Sequence, residues 1–192
     1  MKLANAAVAT TGYKLFAERQ GVRSADGCYV LQLRDINDRC EIDWTLVERR
    51  PVTEGLEWFK VQQGDVLFAP RSNRVSAIAI GSEASDRYTI ASSHFYILRP
   101  NANQLQAGYL AWLLNHPQTR RWLATENRGT HLPFVPLSAL LQLEVPLPPL
   151  DVQTTIVQVD TLRRREHDLT QALLAERDTL IAANTWRLAT ES

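Results

Sequence analysis

The feature that most constrains this chain is its end. Residues 143–153 read Leu-Glu-Val-Pro-Leu-Pro-Pro-Leu-Asp-Val-Gln, an apolar, proline-punctuated stretch that runs straight into a helical tract unbroken over 154–187. Proline fixes φ and has no N–H to donate, so Pro146, Pro148 and Pro149 must close one element and launch the next. The chain is therefore expected to divide into a body over 1–149 and a long helix over 150–192.

Apolar residues recur along the tract with charge between them. Taken as heptads, Val159, Leu173 and Leu180 share one seam position and Leu162 and Leu169 the other, while Glu166 and Glu176 interrupt both. At 1.5 Å per residue the helix would be about 50 Å long, too long for a body of this size to cover, so part of it should project or meet a partner. Ile156, Val159, Leu162, Leu169, Leu173 and Leu180 are the expected pairing residues, in the simplest case between two copies of the chain. The other reading is a helix that folds back as ordinary core. Arg163, Arg164 and Arg165 are expected on a solvated face, or paired with Glu166 or Asp168 of a partner helix.

Upstream, residues 13–99 carry strand signals. Tyr29-Val30-Leu31-Gln32-Leu33 alternates as a half-buried strand does, and Asp35-Ile36-Asn37-Asp38 then supplies turn chemistry. Further strands are expected at 42–47, 56–61, 66–69, 75–80 and 93–98, each bounded by Gly, Pro, Asn, Asp or Ser. After Pro100 the period changes. Residues 109–114 fit a short helix ended by Asn115 and Pro117, residues 118–124 a second, and residues 136–141 a third with proline in its first turn. The predicted fold class is α+β: a sheet-rich domain with short helices, followed by a long C-terminal helix of coiled-coil type.

The charges cancel, with 21 basic and 21 acidic residues, so a nucleic-acid partner would have to be met by local placement rather than by an overall basic field. Of the 21 basic residues only Lys2, Lys14 and Lys60 are lysine, and arginine suits bidentate contacts to phosphate or guanine better; an arginine-favouring genome would give the same count. Cys28 and Cys40 stand outside any CxxC or Cys/His cluster, which argues against structural zinc and a disulfide framework and fits a reduced cytoplasm. The first nine residues faintly suggest a secretory segment, but Thr10, Thr11, Lys14, Glu18 and Arg19 follow at once. No run approaches the ~18 to 20 apolar residues that span a bilayer. A soluble cytoplasmic protein is expected.

Catalytic signatures are missing. The glycines occur singly, so neither a dinucleotide fingerprint nor a phosphate-binding loop is present. Pro148-Pro149 is flanked by Leu147 and Leu150, unlike the Asp/Asn-Pro-Pro-aromatic loop of amino-methyltransferases. No Glu-x-Lys or Asp-x-Lys triplet could help hold Mg²⁺ for a nuclease. His94, His116, His131 and His167 are scattered, and no Ser or Cys has a nucleophile-elbow context, although a triad assembled across loops would leave no linear signal. No catalytic residue, cofactor or metal ligand is assigned.

The stronger constellation is basic and polar side chains in loops. Gly64-Asp65-Val66-Leu67-Phe68-Ala69-Pro70 leads into Arg71-Ser72-Asn73-Arg74, a set that can read base edges: Arg pairs with guanine, Asn with adenine, and Ser with bases or phosphate. Asn127-Arg128-Gly129-Thr130-His131 is a second such loop, whose glycine permits close backbone approach, and Arg120 and Arg121 precede it on a helix where they could grip phosphate. The DNA-binding candidates are thus Arg71, Ser72, Asn73, Arg74, Arg120, Arg121, Arg128, Thr130 and His131. Solvated surface turns would carry similar residues. Trp44, Trp58, Trp112 and Trp122 are expected in core packing.

In order and spacing, several pieces of this chain resemble a target recognition domain of the specificity subunit of type I restriction-modification enzymes. They are Gly64-Asp65-Val66-Leu67-Phe68 before a basic loop, Ser93-His94-Phe95-Tyr96-Ile97-Leu98-Arg99-Pro100, the helix over 109–117, Gly129-Thr130, and Val145-Pro-Leu-Pro-Pro-Leu150 followed by Gln153. The likeness runs over about residues 29–187. It implies a subunit without chemistry of its own, which reads double-stranded DNA and directs methyltransferase and restriction subunits to their target. In that family two recognition domains are each followed by a long helix, the helices pair antiparallel, and the methyltransferase subunits dock onto them. This chain departs in having one domain and one helix, and in showing Val152-Gln153 where Glu-Gln is usual. Two copies would regenerate the two-fold molecule, or a second polypeptide would complete a split or truncated subunit. Recognition residues differ from domain to domain, so the resemblance gives no base-specific role to Arg71, Asn73 or Arg128. Two other readings stay open: an interaction protein that docks through its helix without reading DNA, and a stand-alone nuclease.

Overall fold

The computed structural model describes residues 1–14, 27–37, 39–51, 55–71, 77–125 and 134–191. It divides into two compact units, Met1–Thr154 and Thr155–Ser192.

The first unit is built on two sheets. In one, β1 (Ala7–Thr11), β7 (Tyr96–Pro100), β4 (Val66–Phe68) and β5 (Ala77–Ala79) lie side by side in that order, every pair antiparallel. In the other, β2 (Cys28–Leu31) is flanked by β3 (Glu48–Arg50), antiparallel, and β6 (Thr89–Ala91), parallel. A five-residue helix α1 (Ser82–Asp86) joins β5 to β6, and α2 (Ala107–Asn115), α3 (Pro117–Thr125) and α4 (Leu137–Leu140) follow β7.

Why the strands read as apolar runs is plain from their burial. Leu67, Ile78 and Ile97 face one core with Leu31, Val61, Ala91 and Phe95 from the neighbouring elements. The alternate residues Val66, Phe68, Tyr96 and Leu98 are buried too. Helix α2 packs against β5, β4 and β7 and buries Tyr109, Leu110, Leu113 and Leu114. A strand covered on both faces has no polar side to alternate with. The second sheet is covered likewise, with Cys28, Val30 and Ile90 in a smaller cluster with Leu56.

Two sequence motifs meet inside this body. Gly64, at φ 90°, makes the left-handed turn into β4 that a side chain would strain. Beside it Asp65 is buried, accepting the Gln62 N–H at 2.9 Å and the Arg99 Nε–H at 3.0 Å, while Arg99 Nη2 donates to the Lys60 carbonyl at 2.8 Å. Burial raises the Asp65 carboxyl above its ordinary range, although the Gln62 N–H and Arg99 oppose the shift.

Several strand expectations fail for local reasons. Over 42–47, Ile42 forms only an isolated bridge to Ile36, because the Asp43 carboxylate accepts both the N–H and the hydroxyl of Thr45 and closes a turn. Over 56–61, Gly55 in the left-handed region opens a 3-10 turn at Leu56–Phe59 that buries Leu56 and leaves Trp58 81% exposed, so Trp58 is not a core residue. The opening residues belong to the fold: Leu3 is fully buried, the Met1 carbonyl accepts the Val145 N–H at 2.7 Å, and β1 completes the sheet.

The proline-punctuated stretch ends where the sequence requires, with α5 (Leu150–Thr190) starting after Pro149. Its first turn is held by Gln153, fully buried. The Gln153 amide accepts the Gln106 N–H at 2.9 Å and donates to the carbonyls of Gln104 at 2.7 Å and Pro148 at 2.9 Å. Those bonds satisfy every group that burial would otherwise orphan.

The second unit is the remainder of α5. The whole helix has 41 residues, roughly 60 Å at 1.5 Å per residue. From Thr155 onward no described side chain is buried. Arg163 and Arg164 both pair with Asp160 along the helix, at 3.0 and 2.7 Å.

Candidate nucleic-acid interface

Four strands end in register at one edge of the larger sheet: Thr11 opposite Tyr96, Tyr96 opposite Phe68, and Phe68 opposite Ala77. The first candidate loop is the connection from Phe68 to Ala77, two members of that row. Ser72, Asn73 and Arg74 lie outside the described residues. Arg71, exposed, is the last described residue before them, and its guanidinium stands 5.1 Å from the centre of the Phe134 ring.

Phe134 is where the second candidate loop ends. Arg128, Thr130 and His131 also lie outside the described residues, between Thr125, the last residue of α3, and Phe134. The next residue, Val135, donates its N–H to the Pro70 carbonyl at 3.0 Å and accepts the Tyr96 hydroxyl at 3.1 Å. Tyr96 is stacked on Phe68, ring centres 6.2 Å apart. Burial raises the Tyr96 phenol, with a Leu137 backbone bond and the Arg71 charge opposing, so it stays a neutral donor at physiological pH. The fold thus brings the start of the first loop, at Pro70 and Arg71, against the end of the second, at Phe134 and Val135, more than 60 residues away in sequence.

The other end of the first loop is fixed by Asn115, the last residue of α2. Strand β5 is a sheet edge, so one side of its backbone lacks a strand partner. The Asn115 amide acts as one, accepting the Ala77 N–H at 3.0 Å and donating to the Ala77 carbonyl at 2.6 Å. Arg120, half-buried, and Arg121, exposed, lie on α3, which leads into the second loop. Sequence reasoning missed Phe134, Tyr96 and Asn115 as parts of this site; a bulky residue beside each loop was the only signal.

A second group of arginines sits elsewhere, on the smaller sheet. Arg49 lies over Tyr29 at 5.0 Å, and Arg87 lies over Trp44 at 4.8 Å and Tyr29 at 5.7 Å. Glu83 pairs with Arg87, and Glu48 with Arg34 and Arg50, so these two carboxylates offset part of the group's positive charge. The Ser92 hydroxyl is 3.2 Å from His94 Nδ1, but Ser92 is fully buried and cannot meet a substrate. Among the described residues no three of His, Cys, Asp and Glu come together as a metal site, and no helix is long and apolar enough to cross a membrane.

The sequence model of the type I restriction modification DNA specificity domain matches residues 52–176, well over half of the chain. The chain belongs to that family. Among relatives, this specificity domain is 27% identical over 109 residues to the "Putative type I restriction enzyme MjaX specificity subunit" of Methanocaldococcus jannaschii, a match covering 55% of the chain and 25% of that protein. In fold it is similar to the HsdS subunit from Thermoanaerobacter tengcongensis (TM-score 0.63, 17% identity, 90% of this chain and 39% of that one). It is also similar to the type I restriction-modification S subunit from M. genitalium (TM-score 0.54, 12% identity, 89% of this chain and 40% of that one). The chain therefore spans a quarter to two fifths of the length of these proteins. The α+β architecture with its long C-terminal helix is that of the S subunits.

Proposed function

We propose that the chain is a half-length specificity subunit of a type I restriction-modification system. Residues 1–149 are its DNA target recognition domain, and residues 150–192 its pairing and spacing helix. The body reads double-stranded DNA in the cytoplasm through the loops that carry Arg71, Ser72, Asn73 and Arg74 and Arg128, Thr130 and His131, with Arg120 and Arg121 on phosphate. Two copies pair through Ile156, Val159, Leu162, Leu169, Leu173 and Leu180. The pair directs methyltransferase and restriction subunits to their site and carries out no chemistry itself. The observation that carries this reading is the span of the family match, which runs from the body far into α5.

The closeness of one end of each loop, Pro70 and Arg71 against Phe134 and Val135, supports the DNA surface, since a base-reading face must present several side chains at once. The exposure of the helix supports pairing. Light scattering of the purified chain across a concentration series tests the second half: a dimer that Leu173→Pro converts to monomer is expected, and a monomer at every concentration would reject self-pairing. Fluorescence anisotropy with duplex DNA tests the first, with binding that weakens steeply as salt rises the expected result. A docking role on a methyltransferase or specificity subunit without DNA reading is the second proposal, supported by the same exposed helix; duplex binding by the body rejects it.

A further inference from the structure

Each described loop end is bonded to residues outside its own loop. Ala77, where the first loop rejoins the sheet, has both backbone groups bonded to the Asn115 amide at 3.0 and 2.6 Å. Val135, just past the second loop, is held by the Tyr96 hydroxyl at 3.1 Å and by the Pro70 carbonyl, at the start of the first loop, at 3.0 Å. Tyr96 and Phe68 are stacked and stand in the same cross-strand row as Ala77. The Arg71 guanidinium lies against Phe134 at 5.1 Å.

We propose that Tyr96 and Asn115 are positioning residues that tie the ends of the two loops into a single DNA-reading unit, and that Arg71 braces the unit on Phe134. The inference rests on the DNA reading above. Its physical content is coupling. Each bond at a loop end restricts where the polar side chains between the ends can stand, and a bidentate base contact tolerates little displacement. Non-specific binding asks only for positive charge near the backbone and is insensitive to such placement. A cation held against an aromatic ring has already committed its π-facing side, which fits a brace.

The test begins with the full chain and a randomised duplex library. The motif enriched by the wild-type chain is then titrated, beside a scrambled duplex, with Tyr96→Phe, Asn115→Leu and Phe134→Leu. The last of these sits at a half-buried position and serves if either of the others fails to fold. Loss of one positioning hydrogen bond is expected to lower affinity for the motif about tenfold, with affinity for the scrambled duplex and the salt slope kept. Trypsin gives a readout without DNA: Asn115→Leu should speed cleavage after Arg128, in the second loop, and Tyr96→Phe cleavage after Arg74, in the first. Cleavage that rises only in the loop next to the substitution would overturn the coupling. A wild-type chain that enriches no motif overturns the DNA reading and the inference with it. A motif bound by all three variants with the wild-type preference overturns the inference alone.

Discussion

The body and the helix use the same apolar residues to opposite ends. In the body Leu110, Leu114, Phe68 and Ile97 are at most 1% exposed, whereas in α5 Leu162, Leu169 and Leu173 are 63 to 71% exposed. The body buries its apolar side chains and bonds buried polar groups such as Asp65 and Gln153 within it. The helix repeats leucines at heptad spacing and buries none of them. A helix that displays a heptad seam to water is stabilised by what covers it, because single helices gain little from propensity alone. The difference teaches that one half of this chain covers its own apolar residues and the other leaves its own exposed, which is the basis of the proposed pairing.

That comparison can be broken by matched substitutions. Leu110→Ala removes a fully buried side chain and should cost the body about 2 to 5 kcal/mol in urea unfolding, whereas Leu173→Ala should leave body unfolding within ~0.5 kcal/mol of wild type and weaken self-association. Equal effects on body stability would show that the helix is core after all. Leu173→Pro goes further, costing the helix about 3 kcal/mol and abolishing the dimer while circular dichroism shows the sheets intact. At the start of α5, Gln153→Ala leaves the Gln104 and Pro148 carbonyls and the Gln106 N–H without their partner, and thermal unfolding should report a loss of about 1 to 3 kcal/mol.

Two further predictions concern the reading face and the buried carboxyl. Arg71→Ala and Arg128→Ala should each weaken motif binding by about 1 to 3 kcal/mol in anisotropy titrations, and unchanged affinity in both would remove these loops from the site. The smallest effect belongs to Asp65. A carboxyl whose folded pKa lies above its ordinary 3.8 favours the folded state when protonated, so its contribution is fully present below that value and is lost as pH rises through the raised one. The stability of the wild-type chain relative to Asp65→Asn should therefore fall as pH rises through the carboxylate range. A rise instead would mean that Arg99 stabilises the anion more than burial penalises it.

How much of this was legible in the sequence follows from how local each signal is. The long helix was, since Pro149 and a helical tract free of Pro and Gly, with a heptad pattern that only Glu166 and Glu176 interrupt, follow directly in sequence. So were β4 and β7, apolar runs between turn residues, and the helices around Asn115 and Pro117, where Pro117 opens α3. β1 was not: Ala7, Ala9 and Thr10 are poor strand signals, and only pairing with β7 makes that segment a strand. Nor were 42–47 and 56–61, where a side chain on the backbone and a left-handed glycine override propensity. The loops could be named from composition, but the meeting of their ends through Pro70, Tyr96 and Val135 is a long-range fact that no local pattern carries. Trp58 shows the same limit from the other side, as an aromatic that tertiary structure leaves outside.

The most direct test of two recognition domains joined through their helices is the sequence that the full chain enriches from a randomised duplex library. Each copy contributes the same body, and two-fold pairing through α5 would hold the two at one separation. The account predicts a motif of two inverted half-sites at a fixed spacing. A single half-site, or no enrichment at all, would contradict it.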